Sequence, residues 1–406
     1  MNIGILTYHA VCNFGANLQA LSTVQYLRNH GHNPVVIDWL IDELDSRYKR
    51  TTPEIQYKEH EEFRKAYLPM TTRCRTSEEV AKVIEKENID AVIIGSDAVL
   101  QHFGFWSRVV IPSRKLISYA TPPKDQMCPN PYWAAFTTFL GKRIPVCMMS
   151  ASSQNAPYKS FTLKELSYLD SFLQRFSYIS VRDTWTQGMV SRISKGRIIP
   201  EITPDPVFAF NQNVNNIPSK EDILKKYGLP EKYLLVSFHN SNTVSQEWLI
   251  ELQNEACING RECVAFPFPQ GVEFRHPYDK EINLPLSPID WYALIKYSSG
   301  YVGHNMHPIV VSLHNAVPCF SFDNYGIVKF RLFVNAKSSK IYHIMKTFHV
   351  ENNCFPCRSK FAKTPTAQHV ISAILNFDKE SVRAIGDKYL YCYNEMMRKI
   401  LNIISK

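Results

Sequence analysis

The chain of 406 residues lacks the features that mark membrane-spanning, secreted and disulfide-rich proteins. No apolar run is long enough to span a bilayer, and the first residues have neither the charged start nor the cleavage site of a signal peptide. The ten cysteines are scattered without a disulfide framework, which is typical of a reducing compartment. These absences predict a cytoplasmic protein.

The sequence also lacks the short motifs of several large enzyme classes. It contains no P-loop, no G-x-G-x-x-G dinucleotide fingerprint, no H-E-x-x-H and no G-x-S-x-G. Cys354 and Cys357 form an isolated C-x-x-C pair, which we interpret as two packed thiols because no second pair completes a zinc site. His304, His307 and His314 have no neighbouring carboxylate that would complete one either. We therefore expect neither a metal nor an organic cofactor.

A concentrated basic stripe is lacking too. The formal net charge is +9, but Lys and Arg are spread along the chain and no nucleic-acid-binding module is present. The charge therefore argues against a nucleic-acid partner and favours an anionic substrate or an anionic membrane surface. The basic side chains of residues 379–406 could rest on such a surface. The alternative is a docked helix with a solvated basic side.

What the chain does contain is β-α-β alternation in two blocks. With 45% hydrophobic residues it is globular, and its length is too great for one ordinary core. Short apolar strands alternate with helical patterns, and the alternation begins again after the Asn-rich residues 210–220. We predict an α/β protein with domains at 1–209 and 210–375, and an amphipathic helix at 376–406 that crosses back to the first domain. Residues 99–135, rich in aromatic residues and proline, predict a long insertion or a binding loop.

The most informative segment is residues 300–322. A short apolar strand runs into a polar turn that brings His307 to the start of an apolar helix. Open parallel sheets bind ligands beyond the carboxyl ends of their strands, and a helix N-terminus attracts anions. His307 is therefore predicted to line a site for a negatively charged group. Lys329, after the next strand, could reach the same anion.

Polar residues follow three other predicted strands in the same way. Gly15, within residues 13–19, allows close backbone approach to a polar ligand at a helix start, although an ordinary β-α turn has the same pattern. Asp97 could orient a hydroxyl or act as a base. Alternatively, it could simply cap the next helix. Arg182 could bind a phosphate or a carboxylate. Alternatively, it could form a surface pair with Asp183, or Asp183 could cap a helix.

Together these pieces resemble the polysaccharide pyruvyl transferase family. They occur in the family's order, over roughly residues 1–350: residues 3–8 with 13–19, residues 93–97, residues 179–183, Pro204-Asp205-Pro206, and His307 within residues 303–318. The resemblance implies a fold similar to that of GT-B glycosyltransferases, with a cleft between two Rossmann-like domains. Members of the family transfer pyruvate from phosphoenolpyruvate to a sugar, usually as a cyclic ketal across two hydroxyls.

The resemblance also implies roles for individual residues. Arg182, His307 and Lys329 match residues that hold or act on phosphoenolpyruvate in similar proteins, and Asn305 joins them at a position where several members carry arginine. His307 is then either a phosphate ligand or the general acid, and Asp97 is a candidate base for the sugar hydroxyl. The residues expected on the acceptor side are Asn13, Gly15, Asn17, Gln19 and Ser96.

Such a protein would be a phosphoenolpyruvate-dependent ketal pyruvyltransferase. Similar proteins act on lipid-linked repeat units of capsular polysaccharide or exopolysaccharide. We therefore expect a hexose acceptor, galactose or a related sugar, and a cytoplasmic protein with peripheral contact at the inner face of the membrane. Two alternatives stay open: a GT-B glycosyltransferase that uses a nucleotide sugar, and a non-catalytic sugar-binding or scaffolding member of the same fold.

Overall fold

The structure, a computed structural model, describes residues 1–110, 118–329 and 333–406. Its first half contains a six-stranded sheet whose strands are all parallel, in the order β2-β1-β3-β6-β7-β8. The strands of this half are β1 (Asn2–Leu6), β2 (Asn33–Val36), β3 (Ala91–Asp97), β4 (Val109–Val110), β5 (Ser118–Tyr119), β6 (Val146–Ala151), β7 (Tyr178–Val181) and β8 (Glu201–Ile202). The short strands β4 and β5 pair antiparallel outside the sheet.

The second half repeats this architecture. Its six-stranded parallel sheet has the order β11-β10-β9-β12-β13-β16. The strands are β9 (Tyr233–Ser237), β10 (Glu262–Ala265), β11 (Lys280–Glu281), β12 (Gly300–Gly303), β13 (Cys319–Asp323), β14 (Ile327–Lys329), β15 (Phe333–Asn335) and β16 (Cys354–Pro356). Strands β14 and β15 form a separate antiparallel pair. The predicted α/β class with two parallel sheets is confirmed. The predicted boundary after residue 209 falls between β8 and β9, although the domain boundaries themselves stay predictions.

Helices cover both sheets, so the central strands are buried on both faces and read as continuous apolar runs. Strands β6 and β9, for example, are buried along their whole length. The helices are α1 (Phe14–Asn29), α2 (Asp42–Thr51), α3 (Glu54–Tyr67), α4 (Ser77–Lys86), α5 (Phe105–Arg108), α6 (Leu163–Leu173), α7 (Thr184–Ile193), α8 (Phe210–Asn213), α9 (Lys220–Tyr227), α10 (Gln246–Ile258), α11 (Pro288–Tyr297), α12 (Met306–His314), α13 (Lys340–Thr347), α14 (Ala367–Leu375) and α15 (Lys379–Ile404). In the described part of the chain, no helix is both long enough and apolar enough to cross a bilayer.

One hydrophobic core runs through both halves of the molecule. Helix α1 of the first half packs on helix α11 of the second, where the rings of Phe14 and Trp291 stack with centroids 5.3 Å apart. Beside this stack, the buried amide of Gln56 donates to the carbonyl of Leu286 at 2.9 Å and accepts from its N–H at 2.7 Å. The cleft between the sheets is therefore closed at its base by apolar packing.

The predicted return of the C-terminal helix to the first domain is confirmed. In α15, Met396 Sδ accepts hydrogen bonds from the hydroxyls of Ser150 (3.2 Å) and Ser180 (3.3 Å), which lie in β6 and β7. Further along, Lys399 forms an ion pair of 2.5 Å with Glu201 in β8. The apolar side of the helix is buried in the shared core, and most of its basic side chains are exposed.

Residues 99–135 do not form a featureless loop. They contain α5, the β4–β5 pair and short 3-10 turns at Lys124–Gln126 and Pro131–Trp133, with a further turn starting at Ala135. Trp133 and Phe136 are fully buried and anchor the segment to the first domain, while residues 111–117 lie outside the described ranges. The anchored segment is a wall of the pocket described below, as the binding-loop interpretation requires.

The docking of α15 on the shared core can be tested within the helix itself. Ile400 is fully buried, whereas Tyr391 on the other side is 66% exposed. Ile400→Ala is expected to lower the free energy of unfolding by about 2–4 kcal/mol, because it removes methyl groups and leaves a cavity. Tyr391→Ala is the matched control and should change it by less than about 0.5 kcal/mol. Urea denaturation measures both, and equal effects of the two variants would contradict the docking.

Candidate active site

A pocket opens in the cleft between the halves, at the carboxyl ends of both sheets. Its wall includes residues from the segments that follow the strands β1, β2, β3, β6, β9, β10, β12 and β13. Because parallel strands all end at the same edge, this arrangement collects polar side chains from distant parts of the chain. The polar and charged side chains on its wall include Tyr8, Asn13, Arg47, Asp97, Gln101, Asp125, Asn305, His307, Tyr325 and Lys340.

Behind the pocket, a buried arginine joins two carboxylates. Arg182 at the end of β7 donates from Nη1 to Asp205 Oδ2 at 2.8 Å and from Nη2 to Asp97 Oδ1 at 3.1 Å. Burial alone would raise the pKa of Asp97, but the positive charge of Arg182, with smaller contributions from Lys340, His307 and the backbone N–H of Ala98, holds that pKa below its ordinary value. Asp97 is therefore an ionised carboxylate on the pocket wall, and Arg182 reaches the pocket through it.

Asp205 fixes this network to the body of the first domain. Its Oδ1 accepts the backbone N–H of Val207 at 3.0 Å, which caps the 3-10 turn Pro206–Ala209. Its Oδ2 accepts a hydrogen bond from Gln19 as well as from Arg182. The carboxylate is thus held by three donors, as a buried charge requires.

His307 lies in the first turn of α12, facing the first domain. Its ring packs against the backbone of Gly15, where a Cβ atom would come within 2.0 Å of His307 Cγ. Burial lowers the pKa of His307, and the carboxylates of Asp97 and Asp205 oppose this shift without cancelling it. The imidazole is therefore neutral at pH 7 in the free protein. Its Nε2 is buried and has no hydrogen-bond partner among the described residues, so its hydrogen-bonding capacity is unused in the free protein.

The start of α12 offers further donors to an anion. Asn305, the residue before the helix, has φ = 76° and makes no side-chain capping bond to α12. Its Oδ1 instead lies 2.9 Å from Nε2 of His239, whose other ring nitrogen lies 3.0 Å from Glu273. The first-turn N–H groups and the positive end of the helix dipole are thus directed at the pocket without a competing cap.

Lys340, the first residue of α13, supplies the positive charge on the pocket wall opposite Asp97. It is buried, and among the described residues no Asp or Glu forms an ion pair with its ammonium group. Its Nζ lies 4.8 Å from the centre of the Tyr325 ring. Burial lowers the pKa of Lys340 to about 8, and the charge of Arg182 acts in the same direction. The charges of Asp97, Asp183 and Asp205 oppose this shift without cancelling it. A buried cation that forms no direct ion pair, on the wall of a pocket, suits an anionic ligand.

Sequence reasoning missed Lys340 and chose Lys329 instead. Lys329 lies in β14, and its side chain is outside the described part of the structure, so its role stays a prediction. Lys340 is placed by Ser339, which caps α13 and donates a hydrogen bond of 2.5 Å to Asp323 at the end of β13. Ser339 is a recognisable helix-cap residue, but nothing in the sequence indicates that this helix start lies at the pocket.

The predicted acceptor residues fall into two groups. Asn13 and Gly15 line the pocket. The other three are buried and hold the fold together: Asn17 donates to the carbonyl of His9 at 2.9 Å, Gln19 donates to Asp205, and Ser96 donates to the carbonyl of Ser150 at 3.0 Å. No finding tests acceptor binding, so it stays a prediction for all five.

The structure also decides between the local alternatives for the strand-end residues. Asp183 caps α7 by accepting the N–H of Thr186 at 2.7 Å, and Arg182 is a buried residue and not a surface partner of Asp183. Asp97 pairs with Arg182. Cys354 and Cys357 are free thiols, and the described residues hold no group of three metal-ligating side chains.

Two parallel sheets, a helix that returns from the second to the first, and a charged pocket in the cleft between them define a GT-B-like protein. Within that class, the chain belongs to the polysaccharide pyruvyl transferase family, whose model matches residues 13–325. The family predicted from the strand-end motifs is thereby confirmed. No curated protein matches the sequence.

Solved structures confirm the GT-B-like fold. UDP-GlcNAc 2-epimerase from Neisseria meningitidis bound to UDP-GlcNAc is 10% identical, with a TM-score of 0.55 and 99% of each chain covered. UDP-N-acetylglucosamine 2-epimerase from Rickettsia bellii is 11% identical, with a TM-score of 0.52, and the match covers 100% of this chain and 96% of that one. A UGT transferase from Siraitia grosvenorii in complex with UDP is 11% identical, with a TM-score of 0.50 and both chains fully covered. At these identities the likeness concerns the fold alone.

The unpaired charge of Lys340 should have a measurable effect on stability. Its pKa falls from an ordinary value of 10.5 to about 8 on folding. Lys340→Met is therefore expected to raise the free energy of unfolding at pH 7 by about 3 kcal/mol, because it removes a charge that folding destabilises. Denaturant unfolding of parent and variant at several pH values measures the difference.

The expected gain depends on pH in a defined direction. Below pH 8 the ammonium is charged in both the folded and the unfolded chain, so the gain is complete. Between pH 8 and 10.5 the folded protein loses the proton first, and the difference between parent and variant fades. A variant that is less stable than the parent at pH 7 would show that Lys340 has a counter-ion in solution.

Proposed function

We propose that the protein transfers the pyruvyl group of phosphoenolpyruvate to a hexose, galactose or a related sugar, and closes a cyclic ketal across two of its hydroxyls. The observation that carries the proposal is a pair of groups on the wall of one pocket: the Lys340 ammonium, which forms no ion pair among the described residues, and the partnerless Nε2 of His307. The family to which the chain belongs supports the pyruvyl transfer.

Phosphoenolpyruvate carries a phosphate and a carboxylate on the same carbon, so its site needs several donors and net positive charge. Lys340 and the N–H groups at the start of α12 hold these anionic groups by charge-assisted bonds. His307 donates a hydrogen bond from its ring to the phosphate, with Asn305 beside it on the wall. Arg182 orients Asp97 through their ion pair. Lys329 remains a second candidate ligand of the donor.

The transfer proceeds without early loss of phosphate. A proton adds to the methylene carbon and leaves a cation-like centre at the carbon that bears the phosphate. One sugar hydroxyl bonds to this carbon and loses its proton. The bond from this carbon to the phosphate oxygen then breaks, and the second hydroxyl closes the ketal and loses its proton. One of the two hydroxyl protons replaces the proton given to the methylene group, and the other leaves with hydrogen phosphate.

The charges of the site suggest which group handles each proton. A general acid works best when its pKa lies near the working pH, and Lys340, with a pKa lowered to about 8 by burial, is protonated at pH 7. We assign it the transfer to the methylene carbon. Asp97, ionised beside Arg182, is the proposed base for the attacking hydroxyl. His307, neutral in the free protein, acts as the phosphate ligand.

The proposed setting is the synthesis of a capsular polysaccharide or an exopolysaccharide, with a lipid-linked repeat unit as the acceptor. The protein would work in the cytoplasm at the inner face of the membrane. Along α15 the exposed basic residues are Lys379, Arg383, Lys388 and Arg398. A peripheral contact of this exposed side with anionic lipid remains a proposal.

The rival donor is a nucleotide sugar, because proteins of similar fold are described in complex with UDP or UDP-GlcNAc. Incubation with phosphoenolpyruvate and a galactoside is expected to yield a product heavier than the acceptor by one pyruvate ketal, with release of phosphate. UDP-GlcNAc in place of phosphoenolpyruvate should leave the acceptor unchanged. Mass spectrometry of the acceptor measures both.

Other outcomes of this assay favour the alternatives. A hexose added from the nucleotide sugar, with no product from phosphoenolpyruvate, would contradict the proposal and assign a glycosyltransferase. An acceptor left unchanged by both donors, over a broad set of galactosides and mannosides, would favour a non-catalytic sugar-binding protein.

His307 can be tested with a graded pair of variants. His307→Ala is expected to lower kcat/KM for phosphoenolpyruvate by about 10²–10³-fold, because it removes a donor aimed at the phosphate. His307→Gln keeps an N–H donor and should lose less, and His369→Ala, an exposed histidine in α14, is the control. Phosphate release measures all three.

If His307→Gln is as inactive as His307→Ala, the histidine carries a proton and is more than a phosphate ligand. If His307→Ala releases phosphate at the parent rate, the assignment of the donor site is wrong.

A further inference from the structure

A second groove lies beside the active-site pocket, on the side of the first domain. It lies between helix α2 and the segment that precedes the 3-10 turn Lys124–Gln126. Arg47 and Asp125 line both the groove and the pocket, so the two spaces are adjacent. The rest of the groove wall combines cations and apolar side chains, with Arg50 and Lys124 beside Leu44, Pro122 and Pro123.

The two arginines of the groove are left without carboxylate partners. The acidic residues of α2 are occupied by other cations: Asp45 binds Lys49 at 2.9 Å, and Asp42 binds Arg75 at 2.9 Å. In the described ranges, neither Arg47 nor Arg50 forms an ion pair with an Asp or Glu.

Arg47 and Arg50 are also placed to act together. They are three positions apart on α2 and therefore lie on the same face of the helix. The Arg47 guanidinium carbon lies 5.5 Å from the centre of the Tyr48 ring, and the residue is half-buried at the junction with the pocket.

The groove also contains two carboxylates, Asp125 and Glu43, and the charge of Arg47 acts on Asp125. Asp125 accepts a hydrogen bond of 2.9 Å from the Tyr8 hydroxyl, and burial raises the pKa of its carboxyl group. Glu43 lies 3.8 Å from Lys124, with both side chains more than half exposed, so solvent screens this pair. The groove lining as a whole carries more cations than carboxylates, since Arg47, Arg50 and Lys124 face Glu43 and Asp125.

We propose that this groove binds the phosphate or diphosphate ester through which the acceptor sugar is attached to its carrier. The inference rests on the proposed function. An arginine fork matches two oxygens of a phosphate group, and a pair of such forks on one helix face suits a diphosphate. A sugar held near Asp97 in the pocket would place its linkage at Arg47, and the proline side of the groove would accept the first carbons of the carrier.

A galactosyl diphosphate and methyl galactoside, each offered with phosphoenolpyruvate, provide the test. The parent protein is expected to show a higher kcat/KM for the diphosphate. In the double variant Arg47→Gln, Arg50→Gln, the ratio of the two kcat/KM values should fall about tenfold or more, because charge-assisted contacts are lost. Lys49→Gln, on the same helix but paired with Asp45, is the matched control and should leave the ratio unchanged.

Several results would overturn the proposal. One is a parent protein without preference for the diphosphate, and another is a double variant that loses activity on both acceptors equally. A third is an unchanged ratio combined with weaker sedimentation on phosphatidylglycerol vesicles, which would assign the arginines to membrane lipid.

The proposed function and the proposed role of the groove can be tested separately. If the parent turns over neither acceptor with phosphoenolpyruvate, the proposed function fails. Calorimetric titration with galactosyl diphosphate then tests the role of the groove independently of catalysis. Binding that weakens about tenfold in the double variant supports the groove, and binding that is absent or equal in both proteins rejects it.

Discussion

The contact between Gly15 and His307 is the constraint on which the rest of the site depends. It joins the start of α1 in the first half to the start of α12 in the second, and there is no room for a Cβ atom between them. Any larger residue would separate the two helix starts or turn the imidazole away. The stack of Phe14 on Trp291 holds the same junction from the apolar side. Shared packing thus fixes the distance between the halves, and that distance creates the pocket.

The electrostatics of the pocket follow from the same junction. Arg182 is balanced by Asp97 and Asp205, so the network behind the pocket carries a net negative charge. Lys340 and the N-terminus of α12 bring positive charge from the second half, and neither has a counter-ion or a side-chain cap in the described structure. The free protein therefore holds a buried cation without a direct ion pair, at some cost in stability, which is common where a binding site is prepared for a charged ligand.

Strand ends could be predicted from the sequence, but the directions of side chains could not. The rule that ligands bind at the carboxyl ends of parallel strands found Asp97 and His307, since it depends only on strand position. Asn17 and Gln19 were chosen by the same rule, yet α1 is buried between the two halves and its polar residues bond to neighbouring chain segments. Between β13 and Lys340 the chain forms the β14–β15 pair. No residue spacing in the sequence indicates that the chain comes back to the pocket after this pair.

The central claim is that an anionic donor neutralises the buried charge of Lys340 at the junction of the halves. Calorimetric titration with phosphoenolpyruvate at pH 8, in two buffers of different ionisation enthalpy, tests it most directly, because this pH is close to the pKa of Lys340 in the free protein. Binding is expected to take up protons, since the anion raises the pKa of Lys340 and His307, and Lys340→Met should bind more weakly and take up fewer protons. Binding without proton uptake, or with equal affinity and uptake in the variant, would contradict the account.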